Sequence, residues 1–213
     1  MSAARQCGSE CAAALPTEVA ASDWSHVLRD RQTQSEMSVA MKFFTPELYV
    51  RFNSDVVSVA NRADADWERA LAAYRKHLNS IRPKLAASVA SLASNTCLHD
   101  AEYLGFSKMT MPAMTGDVAM IAVRKDGAVN FLVYVLDGEP LVTRPLEDDV
   151  FDVSQPHWLY DELDVAGEGV FQHDILLSDG RVFSVRFTAF DMLPGSSTKL
   201  AAKPVRRRRA VPA

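Results

Sequence analysis

The chain lacks most of the features that would assign it an activity at once. None of its apolar runs approaches the ~18–20 residues needed to cross a bilayer, which excludes a helical integral membrane protein. It has 3 cysteines, Cys7, Cys11 and Cys97, an odd number that gives no secreted disulfide framework. The Cys7-x3-Cys11 pair has no second ligand pair near it, so it reads as two free thiols rather than half a zinc site. The N-terminus shows no basic segment followed by an apolar one, and Ala12–Leu15 falls well short of the ~7–15 residues of a secretory core. A reducing, cytoplasmic location is therefore expected. GxSxG, Walker and GxGxxG motifs are all missing, and with them the sequence signatures of α/β-hydrolase, phosphate-loop and dinucleotide chemistry.

What remains is ordinary for a globular protein: 213 residues, 48% hydrophobic and 23% charged. Its charge is unevenly spread. Residues 1–40 carry 3 basic and 5 acidic groups, residues 41–193 carry 14 and 22, and residues 194–213 carry 6 and none. The first segment shows no helical or strand period, although Trp24, Val27 and Leu28 could make one apolar turn. It reads as a flexible leader. Met41 opens a different text, MKFFTPELYVRF, which suggests a true start at Met41 or Met37; the alternative is an ordinary leader.

From Thr45 the pattern is helical. Thr45 suits an N-cap and Pro46 the first helical position, with Leu48, Phe52, Val56 and Val59 or Ala60 recurring behind them. A second helix is predicted over 64–81, with Trp67, Leu71, Tyr74, Leu78 and Ile81 on one stripe and Pro83 ending it. A third is predicted over Lys84–Ala93. After Cys97 the period becomes 2. Asp126-Gly127, Asp137-Gly138 and Asp179-Gly180 mark tight hairpins. About seven strands follow, over Leu98–Met109, Val118–Arg124, Ala128–Leu136, Leu141–Arg144, Trp158–Ala166, Val170–Leu177 and Arg181–Phe190, with a bulge or break at Gly105. Short turns demand antiparallel pairing. The expected fold is α+β, with N-terminal helices covering one face of an antiparallel meander, a single domain over 41–193, and a disordered basic tail over 194–213.

Four segments carry a resemblance. MKFFTPELYVRF, DADWERALAAYRKHL, CLHDAEYLGF and WLYDEL…HDILLSDGR together resemble a family of uncharacterised bacterial proteins, described only as a domain of unknown function. The likeness covers most of 41–191 and implies no activity, substrate or catalytic residue. It agrees with Met41 as the start of the domain.

Two His-Asp dipeptides are the most suggestive polar features. His99-Asp100 follows Cys97 at the head of the first expected strand, and His173-Asp174 lies inside a later one. Neighbours in a strand point to opposite faces, so a shared site would draw one residue from each pair, joined by Glu102 or Glu162. His173 alternates with Phe171, Ile175 and Leu177 on the apolar, helix-facing side, which places Asp174 outward with Gln172. Two readings stand: a half-buried His173 satisfied by a neighbour with His99 capping a turn, or a divalent metal or acid–base site on His99 and His173. No HExxH spacing fixes the second. Cys97 lies two residues before His99, either as a thiol–base pair or as a buried cysteine at an element boundary.

The stretch 145–180 has no Lys or Arg and holds ten acids, Glu147, Asp148, Asp149, Asp152, Asp161, Glu162, Asp164, Glu168, Asp174 and Asp179. It reads as a solvated face or as a surface for a cationic partner. The loop with Glu147, Asp148, Asp149 and Asp152 lacks the calcium-loop pattern. The tail, with Lys203 and Arg206–Arg209, offers weak, salt-sensitive nucleic-acid binding, a solubilising role, or a contact with the acidic stretch. The expected function is a non-enzymatic interaction domain with an acidic sheet and loop surface and no cofactor. The alternative is a small metal-assisted hydrolase built on His99 and His173.

Overall fold

The computed structural model describes residues 41–110, 116–143, 148, 150–151 and 154–195. The expectations for 1–40, for Glu147, Asp149 and Asp152, and for the tail beyond 195 lie outside them.

The first helix, α1, spans Pro46–Phe52. Thr45 caps it, its hydroxyl accepting from the Leu48 N–H at 3.2 Å, and Pro46 opens it. It stops at Phe52 instead of running on to Val59. Asn53 donates its side-chain amide to the Tyr49 carbonyl, and Ser54 Oγ accepts from the Val56 N–H. Such short polar side chains offer the backbone alternatives to helix. The second helix, α2, therefore begins earlier than its periodicity suggested and covers Val57–Ile81. A 3-10 turn over Arg82–Lys84 absorbs Pro83, and α3 spans Ala87–Asn95, shifted three residues from the expected start.

Seven strands follow: β1 Glu102–Thr110, β2 Asp117–Lys125, β3 Ala128–Leu136, β4 Leu141–Val142, β5 Trp158–Gly167, β6 Val170–Leu177 and β7 Val182–Pro194. The fold is α+β with an antiparallel sheet in the order β1-β2-β3-β7-β6-β5, and β4 pairing β7. Two three-stranded meanders are thus joined where β3 pairs β7. Asp126 and Gly127 both take positive φ, 51° and 79°, as a two-residue type I′ turn requires. The β1 ladder slips between Tyr103 and Gly105, the irregularity that the glycine implied.

The sheet curls until its end strands meet. His157, just before β5, bridges Glu102 of β1, and the Trp158 N–H donates to the Ala101 carbonyl at 2.8 Å. The Tyr103 and Phe106 rings on β1 reach Phe183 on β7, 5.6 and 5.9 Å between centroids. Those strands lie three places apart in the sheet, so the contact crosses its interior.

This curvature changes the expected layering. The concave side holds Ile121, Leu132, Tyr134, Leu163, His173, Ile175 and Phe187, and α3 closes on it with Val89 and Leu92. The convex side of β5, β6 and β7 carries Leu159, Leu176 and Val182 under Met41, Phe44 and the Trp67–Leu71–Tyr74 stripe of α2. The helices divide between the two faces rather than sharing one.

Candidate functional site

His173 is fully buried on the concave face. Its Nδ1 lies 3.0 Å from the Tyr134 hydroxyl and its Nε2 lies 3.2 Å from Asp161 Oδ2. Asp161 Oδ1 accepts from Trp158 Nε1 at 2.9 Å. A carboxylate only accepts, which fixes a proton on Nε2, while Nδ1 faces the Tyr134 hydroxyl. Burial, with the Asp161 charge added, pushes the Tyr134 phenol well above its ordinary range. Burial also raises the Asp161 carboxyl, but the His173 hydrogen bond and charge and the Trp158 N–H outweigh it and hold the group below its usual value. The result is a four-residue relay with both ring nitrogens of His173 engaged.

His99 stands elsewhere. It precedes β1 in a turn where Asp100 takes φ 63°, so strand alternation does not apply to this dipeptide. Its Nδ1 meets the Asp100 carboxylate at 2.9 Å, and its ring sits edge-on to Tyr160 on the convex side. The structure does not bring His99 and His173 to one site, and among the described residues no three His, Cys, Asp or Glu side chains form a metal-holding group. Glu102 is taken up by Arg124 at 2.5 Å and by the Gln155 amide. Cys97 is exposed and lies ahead of the first strand, so the shared strand face expected for Cys97 and His99 is not formed.

The acidic stretch is the larger correction. Asp174 was expected outward but is 4% exposed, as is Glu162 beside it, and Asp179 is buried too. Glu162 accepts from the backbone N–H groups of Lys42, Phe43 and Phe44 at 2.8, 2.8 and 2.6 Å. Asp174 accepts from the Gln172 amide at 3.0 and 2.9 Å. Asp164 pairs with Lys42 and with His77 Nε2, and Asp179 with Arg181. Among the seven acids described here, only Asp148 and Glu168 are exposed. These carboxylates serve mainly as internal acceptors for β5, β6 and the segment Met41–Phe44, and not as a solvated face.

The exposed candidate lies at the corner between α1 and α2. A cleft of about 470 Å³ is lined by Val50, Arg51, Asn53, Asp55, Val59 and Asp148. Arg51 pairs at 2.8 Å with Asp66, a carboxylate that it shares with Arg69. Among the described residues no cation pairs with Asp55 or Asp148. Beside the cleft, Phe52, Val56 and Val57 are 37, 57 and 71% exposed. Val56 is the N-cap of the 25-residue α2, yet it makes no capping bond, and the first turn holds no acid. Sequence periodicity had counted Val56 as part of an inward stripe; the break at Asn53 turned it to the surface.

No helix among the described residues is long and apolar enough to cross a membrane. Comparison with protein-family models, with curated proteins and with solved structures returns no match.

Proposed function

We propose that this chain is a non-enzymatic interaction domain whose contact surface is the α1–α2 corner. The observation that carries the reading is the start of α2. Ser, Thr, Asp or Asn at an N-cap stabilises a helix by ~1 kcal/mol over an aliphatic residue. Here the position is held by an exposed valine, followed by a second one. The start of α2 thus lacks a polar cap, and two adjacent exposed valines beside Phe52 form an apolar contact patch. Among the described residues Asp55 and Asp148 at the cleft meet no cation, which favours a partner segment with cationic side chains next to apolar ones. Cytoplasmic residence, a folded unit that begins near Met41, and membership in the uncharacterised bacterial family noted above belong to the same proposal.

Pull-down with the full-length chain at low and high salt, followed by mass spectrometry, tests it against the double variant Val56→Asp/Val57→Asp. The expected result is a basic partner retained at low salt, weakened at high salt and lost with the variant. A variant that captures the same proteins as the parent chain overturns the reading.

A further inference from the structure

Glu162 on β5 and Asp174 on β6 stand directly opposite each other in the ladder, on the convex face, each 4% exposed. Carboxylates so placed lose hydration together and repel at short range, so the pair binds a proton more readily than either group alone. Their surroundings supply little positive charge. On the segment before α1, the Lys42 ammonium turns to Asp164; on α2, His77 also turns to Asp164, at 3.1 Å, and Tyr74 accepts from the Leu163 N–H. On β5 the neighbouring acids are Asp161 and Asp164, on β6 His173 faces the other side of the sheet, and on β7 Ser184 is the register partner of Asp174. Among the described residues, the Lys42 ammonium and the His77 ring are both committed to Asp164, and the pair is held by amide and hydroxyl donors.

Three of those donors are the consecutive backbone N–H groups of Lys42, Phe43 and Phe44. This short strap carries Met41 and Phe44, 3 and 5% exposed, into the aromatic cluster of Trp67, Tyr74 and Tyr160. The grip on the strap and the charge of the pair are therefore one variable. We propose that Glu162 and Asp174 form a proton-operated latch: one proton taken up by the pair tightens the hold on residues 42–44, and its loss loosens the strap.

The mechanism is electrostatic. With two charges, the Glu162 anion that the strap amides need is opposed by Asp174. One proton on the pair removes that repulsion, and the three N–H donors keep the remaining charge on Glu162. Burial raises both carboxyls above their ordinary values. At Glu162 it prevails over the strap amides, with the Asp174 charge adding to the rise; at Asp174 it prevails over Ser184 and Gln172. Uptake thus falls at higher pH than for the same groups in water.

Residue-resolved amide exchange on the full-length chain between about pH 5 and about pH 8 tests the latch, since a displacement of one pH unit corresponds to about a tenfold change in population. Protection of Phe43 and Phe44, corrected for intrinsic exchange and taken relative to Leu132 in the centre of β3, is expected to be several-fold to about tenfold higher at the acid end. Asp174→Asn, which fixes the neutral form, should flatten this profile at or above the acid value. His77→Gln replaces the ring that contacts Asp164 beside the pair and should leave the profile intact. A flat parent profile, an unchanged profile in Asp174→Asn, or its disappearance in His77→Gln overturns the proposal. If Asp174→Asn does not fold, the other two profiles still decide it.

Discussion

Asp161 Oδ2 lies 3.2 Å from His173 Nε2 although the two residues are not opposite each other in the ladder, which pairs His173 with Leu163 and Asp161 with Ile175. The contact is diagonal, within reach of long side chains on one sheet face. It is joined there by Trp158 because the register slips between Trp158 and Tyr160. Under strict alternation Trp158 and Asp161 would point to opposite faces; the bulge at Leu159 returns both to the concave side, where the indole can donate to the carboxylate.

This relay is expected to be structural, and its removal costly. His173→Ala empties buried volume, leaves the Tyr134 hydroxyl without a partner and strips Asp161 of its main support. A loss of about 3 kcal/mol in urea unfolding is expected. Asp161→Asn retains an acceptor for Nε2 but turns its amide donor on the Trp158 N–H, and should cost about 1–2 kcal/mol. Equal losses for the two variants would argue against the relay.

The pH dependence of stability should show two opposed trends. Asp161 and Asp164 are held below 3.8, Asp164 because Lys42, the Val165 N–H and His77 outweigh its burial. Their contribution is complete above that value and is lost as pH falls through the folded-state values. Glu162 and Asp174 are raised above 4.5 and 3.8, so their contribution is present below those values and is lost as pH rises through the folded-state ones. Thermal unfolding should therefore show Tm rising from about pH 8 to about pH 5 and falling below about pH 3.5. Asp174→Asn should remove the first trend and leave the second.

Local chemistry made much of this fold legible. Thr45-Pro46 marks the start of α1, Asp126-Gly127 makes a two-residue turn, and Ala128–Leu136 and Val170–Leu177 are strands at their expected bounds. The features that define the polar sites are not local. Which strand β3 pairs with, how far the sheet curls, and the slip at Leu159 depend on packing between residues far apart in sequence. An alternating pattern reveals that Asp174 and Gln172 share a face, but not that α2 and the strap cover part of it. For this reason the acids of 145–180 read as a surface, while the structure uses most of those described as internal acceptors. The relay partners Tyr134 and Trp158 had no sequence signal, since each stands among other core residues of its strand.

Two glycine substitutions should separate backbone strain from crowding. Gly127 has φ 79° with nothing within 4 Å of an added Cβ, so Gly127→Ala should cost about 1 kcal/mol from conformation alone. Gly180 has φ 80°, and its Cβ would meet the Phe151 ring at 3.1–3.3 Å, while that ring stacks on Tyr49 at 5.7 Å. Gly180→Ala should cost about 2–3 kcal/mol, because the ring cannot yield without leaving Tyr49. Urea unfolding of both variants checks the order; similar values would show that Phe151 gives way freely.

The corner between α1 and α2 separates stability from function most sharply. Val56→Asp places a carboxylate where the free N–H groups of α2 begin and where the helix dipole favours negative charge. It should raise stability by about 0.5–1 kcal/mol in urea unfolding. Val57→Asp, at an exposed first-turn position, should be neutral or slightly stabilising for the same reason. Both changes would replace the exposed apolar surface that the proposed partner uses. The double variant should consequently be at least as stable as the parent while losing its partner, so that lost capture cannot be attributed to unfolding. A double variant that is less stable than the parent would show that the valines pack where they are, and would remove the argument that they form a free contact patch.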